Sequence, residues 1–354
     1  MHSNLPQLNI GNVHIGFPVV QAALAGYSDG PMRQIARRLG AAYALGEVLL
    51  DEFLLLLKQR KRTRHFLHLS DHDHPVGGQL MGAAPEQFAA GAKKLVEAGF
   101  DVIDINFGCP VKKVLGRCRG GFHLSQPEVA LEIVRRTREA VPSHIPVTVK
   151  MRRGIDGSAE ARDKFFTILD GALALGVAAV TVHARTVQQR YVGPSAWEFL
   201  AAVKRQAGAK IILGSGDLFS AQACLDMLRQ TGLDGVTVAR GAIGNPWIFQ
   251  QARALAAGLP LPPPPTLREQ RDVIWEHYRL AEELYGTERC GPLMRKVGIK
   301  YAASHPLYEQ VRAAFVRVRS LRDWEAVLDQ WYVEDVPSQY PTFETHQAQG
   351  QRAS

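Results

Sequence analysis

No two of the four cysteines, Cys109, Cys118, Cys224 and Cys290, form a CxxC pair or stand at metal-ligand spacing, so neither a disulfide framework nor a metal site is expected. The thiols read as reduced, in a cytoplasmic protein. Histidines 65, 68, 72 and 74 lie in a polar loop without helical spacing and are assigned no metal. No apolar run approaches the roughly 20 residues of a membrane span, and segments 54–57 and 171–182 read as core. Residues 1–16 contain no charged stretch leading into an apolar one, which argues against a secretory leader. Acidic residues are the scarcer sign: 34 against 42 Lys and Arg, a net charge of +8 that favours an anionic partner.

What is present is a rhythm. Apolar runs at 19–25, 42–46, 76–81, 102–106, 147–151, 179–183, 211–214 and 235–239 are eight candidate strands. Helical periodicity fills most gaps, with start signals at Pro85-Glu86, Gln126-Pro127-Glu128 and Ser220. Buried strands alternating with amphipathic helices imply a parallel sheet covered by helices, and eight repeats favour closure into a (β/α)8 TIM barrel, an α/β fold, over 1–258. The proline run 260–265 breaks the rhythm and reads as a stiff linker over 259–265. Beyond it, 267–286, 291–304 and 307–318 look helical and end near Trp331, which makes a small C-terminal helical domain over 266–335. Residues 336–354 read as a polar, frayed tail.

In such a barrel the chemistry stands at the C-terminal strand ends. Those ends carry Ala23-Leu24-Ala25-Gly26, Gln79, Asn106 with Cys109, Lys150 with Arg152, His183 with Arg185, Ser215-Gly216-Asp217, and Ala239-Arg240-Gly241. Singly each has a plainer reading: Lys150 a solvated strand end, His183 a satisfied core histidine, Gln79 a loop cap. Their shared rim argues for a site. The glycine-rich turns after strands seven and eight sit where barrels bind phosphate through backbone donors, and Arg240 suits a bidentate fork. A ring laid across the mouth would meet Lys150, which favours negative charge on a reduced ring, with Gln79 and Asn106 to orient it: the geometry of a flavin site.

The segment Asp104-Ile105-Asn106-Phe107-Gly108-Cys109-Pro110-Val111-Lys112-Lys113-Val114 places one thiol on a proline-stiffened loop beside positive charge. With Ala22 to Asp29, Gln79, Val149-Lys150-Met151-Arg152, Val182-His183-Ala184-Arg185-Thr186, Gly214-Ser215-Gly216-Asp217, Ala239-Arg240-Gly241-Ala242-Ile243-Gly244-Asn245-Pro246-Trp247 and Met294-Arg295-Lys296, it resembles the tRNA-dihydrouridine synthases over roughly 15–330. The resemblance implies reduction of the uridine C5=C6 bond in tRNA, with hydride from reduced FMN, NADPH or NADH as reductant, and a proton from Cys109. It implies FMN contacts at Ala23, Leu24, Ala25, Gln79, Lys150, His183, Ser215, Gly216, Asp217, Ala239 and Arg240, with Asn106 beside them. The chain departs from the family in having Ala23-Leu24 for Pro-Met, Ser215 for Asn and Ala239 for Gly; Cys118 lacks the Gly-Cys-Pro frame and reads as structural.

For the tRNA, Lys112, Lys113, Arg117 and Arg119 flank Cys109. Residues 289–322 hold eight cations, among them Arg295, Lys296 and Lys300, against the single acid Glu309, a clustering that suits phosphate binding. A second basic run, 58–64, reads equally as a helix end. The chain is expected to act as a monomer without a membrane or metal partner. Two other readings stand beside this one: an FMN barrel acting on a free small molecule, akin to dihydroorotate or dihydropyrimidine dehydrogenases, which leaves the basic tail unused, and an RNA-binding barrel without chemistry, which leaves Cys109, Lys150 and Arg240 unused.

Overall fold

A computed structural model describes residues 5–57 and 63–341, so most of the basic run 58–64 and the tail beyond 341 lie outside the described residues. The strands are β1 (Leu8–Ile10), β2 (Val13–Gly16), β3 (Val19–Gln21), β4 (Ala44–Leu50), β5 (Val76–Met81), β6 (Val102–Phe107), β7 (Val147–Arg152), β8 (Ala179–His183), β9 (Ile212–Ser215) and β10 (Gly235–Val238). The last eight close into a parallel barrel in the order β10-β3-β4-β5-β6-β7-β8-β9, as the eight apolar runs imply. Helix starts follow the sequence signals: Pro85 and Pro127 occupy first turns, and the Ser220 side chain accepts from Ala223 N.

Two features differ from the sequence reading. The second barrel strand runs on to Leu50, because the register with β5 shifts between Leu45 and Val48 and absorbs Gly46 and the charged Glu47 as an irregularity instead of ending there. A hairpin, β1 with β2, precedes the barrel; its turn rests on Gly11 at φ +59, which a two-residue turn accepts at its first position. Leu8, Ile10 and Ile15 of this hairpin pack with Val20, Leu45, Val102, Ala179 and Leu213, so it plugs the N-terminal end of the barrel.

Alternation then divides the strands into two faces. Ile103, Ile105, Phe107, Val147, Val149, Met151, Val180 and Val182 point outward into the cluster shared with the helices. The alternate positions build polar tiers: Gln79 beside Asp104 beside Thr148, then Asn106 beside Lys150 beside Thr181, then Arg152 beside His183 beside Ser215. The barrel is therefore apolar at its plugged end and polar towards the other.

The helical unit comprises Leu267–Tyr285, Thr287–Tyr301, Tyr308–Val316 and Leu321–Trp331. Its core takes in Ile35 and Trp247 from the barrel, so the two units share one apolar cluster. Gly244, at φ +76, marks a close approach: a Cβ there would fall on the Lys300 carbonyl. Residues 336–340, read from sequence as frayed, are bonded to the linker and to the start of the helix after it: Ser338 N donates to Pro265 O, the Tyr340 hydroxyl to Pro262 O, and Leu267 N to Val336 O. A proline-rich run forms no internal hydrogen bonds and leaves its carbonyls open to such partners.

Gly244→Ala should push the helix Thr287–Tyr301 off the barrel, lowering stability by about 1–3 kcal/mol. Thermal melts, with the rate of proteolysis in the linker, check this.

Candidate active site

Asp104, in the middle of β6, is 2% exposed and accepts two short hydrogen bonds, from Thr148 Oγ1 at 2.5 Å and Gln79 Nε2 at 2.6 Å. Gln79 Oε1 in turn accepts from Asn106 Nδ2 at 2.7 Å. Asn106 Oδ1 accepts from the backbone N–H of Gly108 at 2.9 Å and of Cys109 at 3.1 Å. This relay has one possible direction. The two backbone donors at the top require an oxygen from Asn106, and the carboxylate at the bottom requires a nitrogen from Gln79. It leaves each amide nitrogen one hydrogen outside the relay. Burial raises the Asp104 carboxyl, while Thr148, Gln79 and the charge of Lys150 pull it back.

The relay seats the loop that carries the thiol. Cys109 is half-buried, and Gly121 N donates to its carbonyl at 3.1 Å. Gly120 and Gly121 are required here, since Cβ atoms on them would come 2.8 Å from Cys109 Cβ and 3.0 Å from its carbonyl oxygen. Burial pushes the thiol pKa up; the Val111 N–H, Arg152 and Lys150 act the other way. The proton thus stays on sulfur at neutral pH, while any thiolate formed would meet two cations and a backbone donor.

Those cations are themselves held. Arg152 is 3% exposed and donates to the carbonyls of Gly108, Thr186 and Arg190 at 2.7–2.9 Å, which ties the Cys109 loop to the loop after β8. The Lys150 ammonium is pushed down to about 8, chiefly by burial and then by Arg152. His183 is driven well below its ordinary value by burial and by Arg152, Lys150, Arg185 and Arg240, so the ring is neutral. Its Nδ1 accepts from Arg185 N at 3.2 Å, which leaves the proton on Nε2.

Across the mouth, Arg185 donates to Gly193 O and to both carboxylate oxygens of Asp217, at 2.8 and 2.7 Å, while Ser195 N donates to Asp217 Oδ2 at 2.9 Å. The Asp217 side chain is therefore spent within the protein, and the turn Ser215-Gly216-Asp217 offers a ligand its backbone. Gly216 at φ +121 and Asp217 at φ +59 shape that turn, and a Cβ on Gly216 would strike Ser195 Oγ. Arg240 lies over the rings of Tyr191, at 4.3 Å, and Phe219, at 5.1 Å.

The tertiary structure thus gathers Gln79, Asn106, Cys109, Lys150 and His183 into adjoining tiers, with Ser215, Gly216 and Arg240 at the rim. Ala23 and Leu24 are half-buried and Ala25 exposed in the turn after β3, and Ala239 is half-buried. Lys112, Lys113, Arg117 and Arg295 are exposed. Three predicted cations are placed otherwise than at an open surface. Arg119 is buried and paired with Glu52 at 2.5 Å, Lys296 is half-buried against Gly26, and Lys300 is half-buried with its ammonium pushed down to about 8 by burial, Arg312 and Arg240. Sequence reasoning passed over Asp104 and Thr148, although a period of two already put them on the faces of Asn106 and Lys150. It also passed over Tyr191, whose loop carries no comparable signal. Among the described residues no group of three His, Cys, Asp or Glu could hold a metal, and no helix is long and apolar enough to cross a membrane.

Gln79→Leu should cut the relay, leaving Asp104 short of a donor and the Asn106 amide unmatched, at a cost of about 1–3 kcal/mol. Alkylation of Cys109 by iodoacetamide should speed up in the folded variant as its loop loosens.

The helix-wrapped barrel is shared with histamine dehydrogenase from Rhizobium sp. 4-9, at a TM-score of 0.55 and 15% identity, covering 72% of this chain and 48% of that one. The chain is 34% identical over 334 residues to a probable tRNA-dihydrouridine synthase of Mycobacterium tuberculosis, covering 92% of this chain and 84% of the relative. It is also 34% identical over 317 residues to tRNA-dihydrouridine synthase B of Xanthomonas axonopodis pv. citri, covering 88% and 92%. A family model described as dihydrouridine synthase (Dus) matches residues 20–336, from the first barrel strand through the helical unit, and the chain belongs to the dihydrouridine synthase family.

Proposed function

We propose that the reduction of uridine in tRNA, which membership of this family assigns to the chain, is carried out on FMN held across the barrel mouth, with Cys109 as proton donor and NADPH or NADH as reductant. The observation that carries this reading is a half-buried thiol, its pKa raised by burial, pinned by a hydrogen-bond relay above a floor of donors and cations.

The residues suit an anionic, electron-rich cofactor. Gln79 and Asn106 each keep an N–H outside the relay, Lys150 adds an ammonium and neutral His183 a ring N–H. Phosphate would be taken by the backbone of Ser215, Gly216 and Asp217 with Ala239 and the Arg240 fork, and the turn at Ala23, Leu24 and Ala25 would bound the ring. A reduced flavin held by these residues would supply the hydride for C6 of the uracil. Cys109 gives its proton to C5, and the resulting thiolate is stabilised by Lys150, Arg152 and the Val111 N–H. Burial keeps the proton in place beforehand; the two cations make its loss favourable at the moment of transfer.

A uridine stacked within a folded RNA must leave its stack to reach the thiol, so the phosphates around it need a grip. Lys112 and Lys113, on the short helix Lys112–Leu115, and Arg117 stand exposed just beyond Cys109. Arg295 faces out from the helical unit. Lys300 is repelled by Arg312 and by Arg240 where that unit meets the barrel, and a phosphate there would relieve the repulsion.

The purified protein should be yellow, and Cys109→Ala should keep its flavin while dihydrouridine formation in tRNA falls by at least about 100-fold, the low end of what a positioned acid supplies. Nucleoside analysis of treated tRNA reads the product; a colourless protein that takes up no FMN, or an undiminished variant, overturns the reading. Because the Lys150 charge is lost as pH rises through about 8, the affinity of the apoprotein for FMN should fall across that point. Lys150→Met should bind FMN more weakly and without that step, which fluorescence titration checks.

A further inference from the structure

Lys296, a cation of the basic cluster, turns back onto the barrel. It is carried by the helix Thr287–Tyr301, next to the exposed Arg295, yet it is half-buried and its Nζ donates to the Gly26 carbonyl. The ammonium also lies 5.1 Å above the Tyr27 ring. Gly26, at φ +74, permits this approach: Nζ would stand 3.3 Å from a Cβ at that position. From the other side, Gly26 N donates to Glu47 Oε2 at 3.0 Å, and Glu47 is free to reach it because it sits in the irregularity of β4. The same corner is braced by the Tyr285 hydroxyl, also from the helical unit, which donates to Asp29 Oδ2 at 2.7 Å.

We propose that Lys296 is a positioning residue of the active site, through which the helical unit clamps the turn 23–26 that borders the cofactor, and that it is not a ligand of RNA phosphate. The inference rests on the FMN reading above. Both backbone groups of Gly26 are engaged, the N–H by β4 and the carbonyl by Lys296. The turn is also closed on itself, since Tyr27 N and Ser28 N donate to Leu24 O at 2.9 and 3.0 Å and Leu24 N donates to Ser28 Oγ at 2.8 Å. A restraint at Gly26 is therefore a restraint on Leu24 and Ala25. Docking of the helical unit and retention of the cofactor are then one equilibrium, and whatever displaces that helix loosens the cofactor turn.

The test compares Lys296→Met, which keeps the stem over Tyr27 but removes the donor, with Arg295→Met and Lys296→Arg. FMN affinity is read by fluorescence, tRNA affinity over a salt series, and amide exchange of 23–28 on the apoprotein. Lys296→Met should weaken FMN about tenfold, speed exchange in 23–28 and leave the salt slope for tRNA unchanged; Lys296→Arg should restore FMN binding. Arg295→Met should lower the salt slope by about 0.9, one phosphate contact, with FMN affinity intact. Wild-type FMN affinity and exchange in Lys296→Met, or a salt slope lowered there by one contact, overturns the proposal. A wild-type protein that binds no FMN overturns this proposal together with the flavin reading, whereas normal FMN binding with an unaffected Lys296→Met overturns this proposal alone.

Discussion

The arrangement at the barrel mouth depends on a single buried carboxylate. Asp104 takes the Gln79 amide from below, Gln79 takes Asn106, and Asn106 takes the two N–H groups that define the Cys109 loop. A buried carboxylate is tolerated only when its oxygens are matched, and here Thr148 and Gln79 match them within 2.6 Å. In return the anion orients two amides that would otherwise be free to flip. Position and polarity are transmitted together: the loop sits where Asn106 places its oxygen, and the remaining amide hydrogens are left for whatever binds.

Around that anion the site is crowded with positive charge. Lys150, Arg152, Arg185 and Arg240 surround a histidine kept neutral by burial first and by their charge second. Each guanidinium is anchored: Arg152 on three carbonyls, Arg185 on Gly193 and Asp217, Arg240 between two rings. Fixed cations in a partly desolvated bowl need little reorganisation when negative charge arrives, which suits both an anionic cofactor and the thiolate left after proton transfer. Burial first, and neighbouring guanidinium groups second, push Lys150 and Lys300 down to about 8.

Much of this was readable beforehand. The eight apolar runs are the eight barrel strands, because each strand must turn apolar residues outward to the helices that cover it, and β5 and β8 coincide with their predicted limits. The β1–β2 hairpin was missed because three- and four-residue strands carry too little periodicity to register. The run of β4 past Glu47 was missed because a charge inside an apolar run looks like its end. Asp104 was legible by strict alternation from Asn106, but its partners were not, since Gln79 and Thr148 are 25 and 44 residues distant in the chain.

The chain's own order of residues determined the barrel, the rim on which Gln79, Asn106, Cys109, Lys150, His183 and Arg240 stand, and the excess of cations near the C-terminus, because periodicity and composition are local properties. Only the tertiary structure decided how those groups are used. Arg119 and Lys296, indistinguishable in sequence from the exposed Lys112 and Arg295, are turned inward onto Glu52 and Gly26. The side chain of Asp217 is spent on Arg185. A side chain's partner is set by what the closed barrel and the docked helices bring within about 3 Å of it, and contacts between residues so far apart in the chain exist only once the fold has closed.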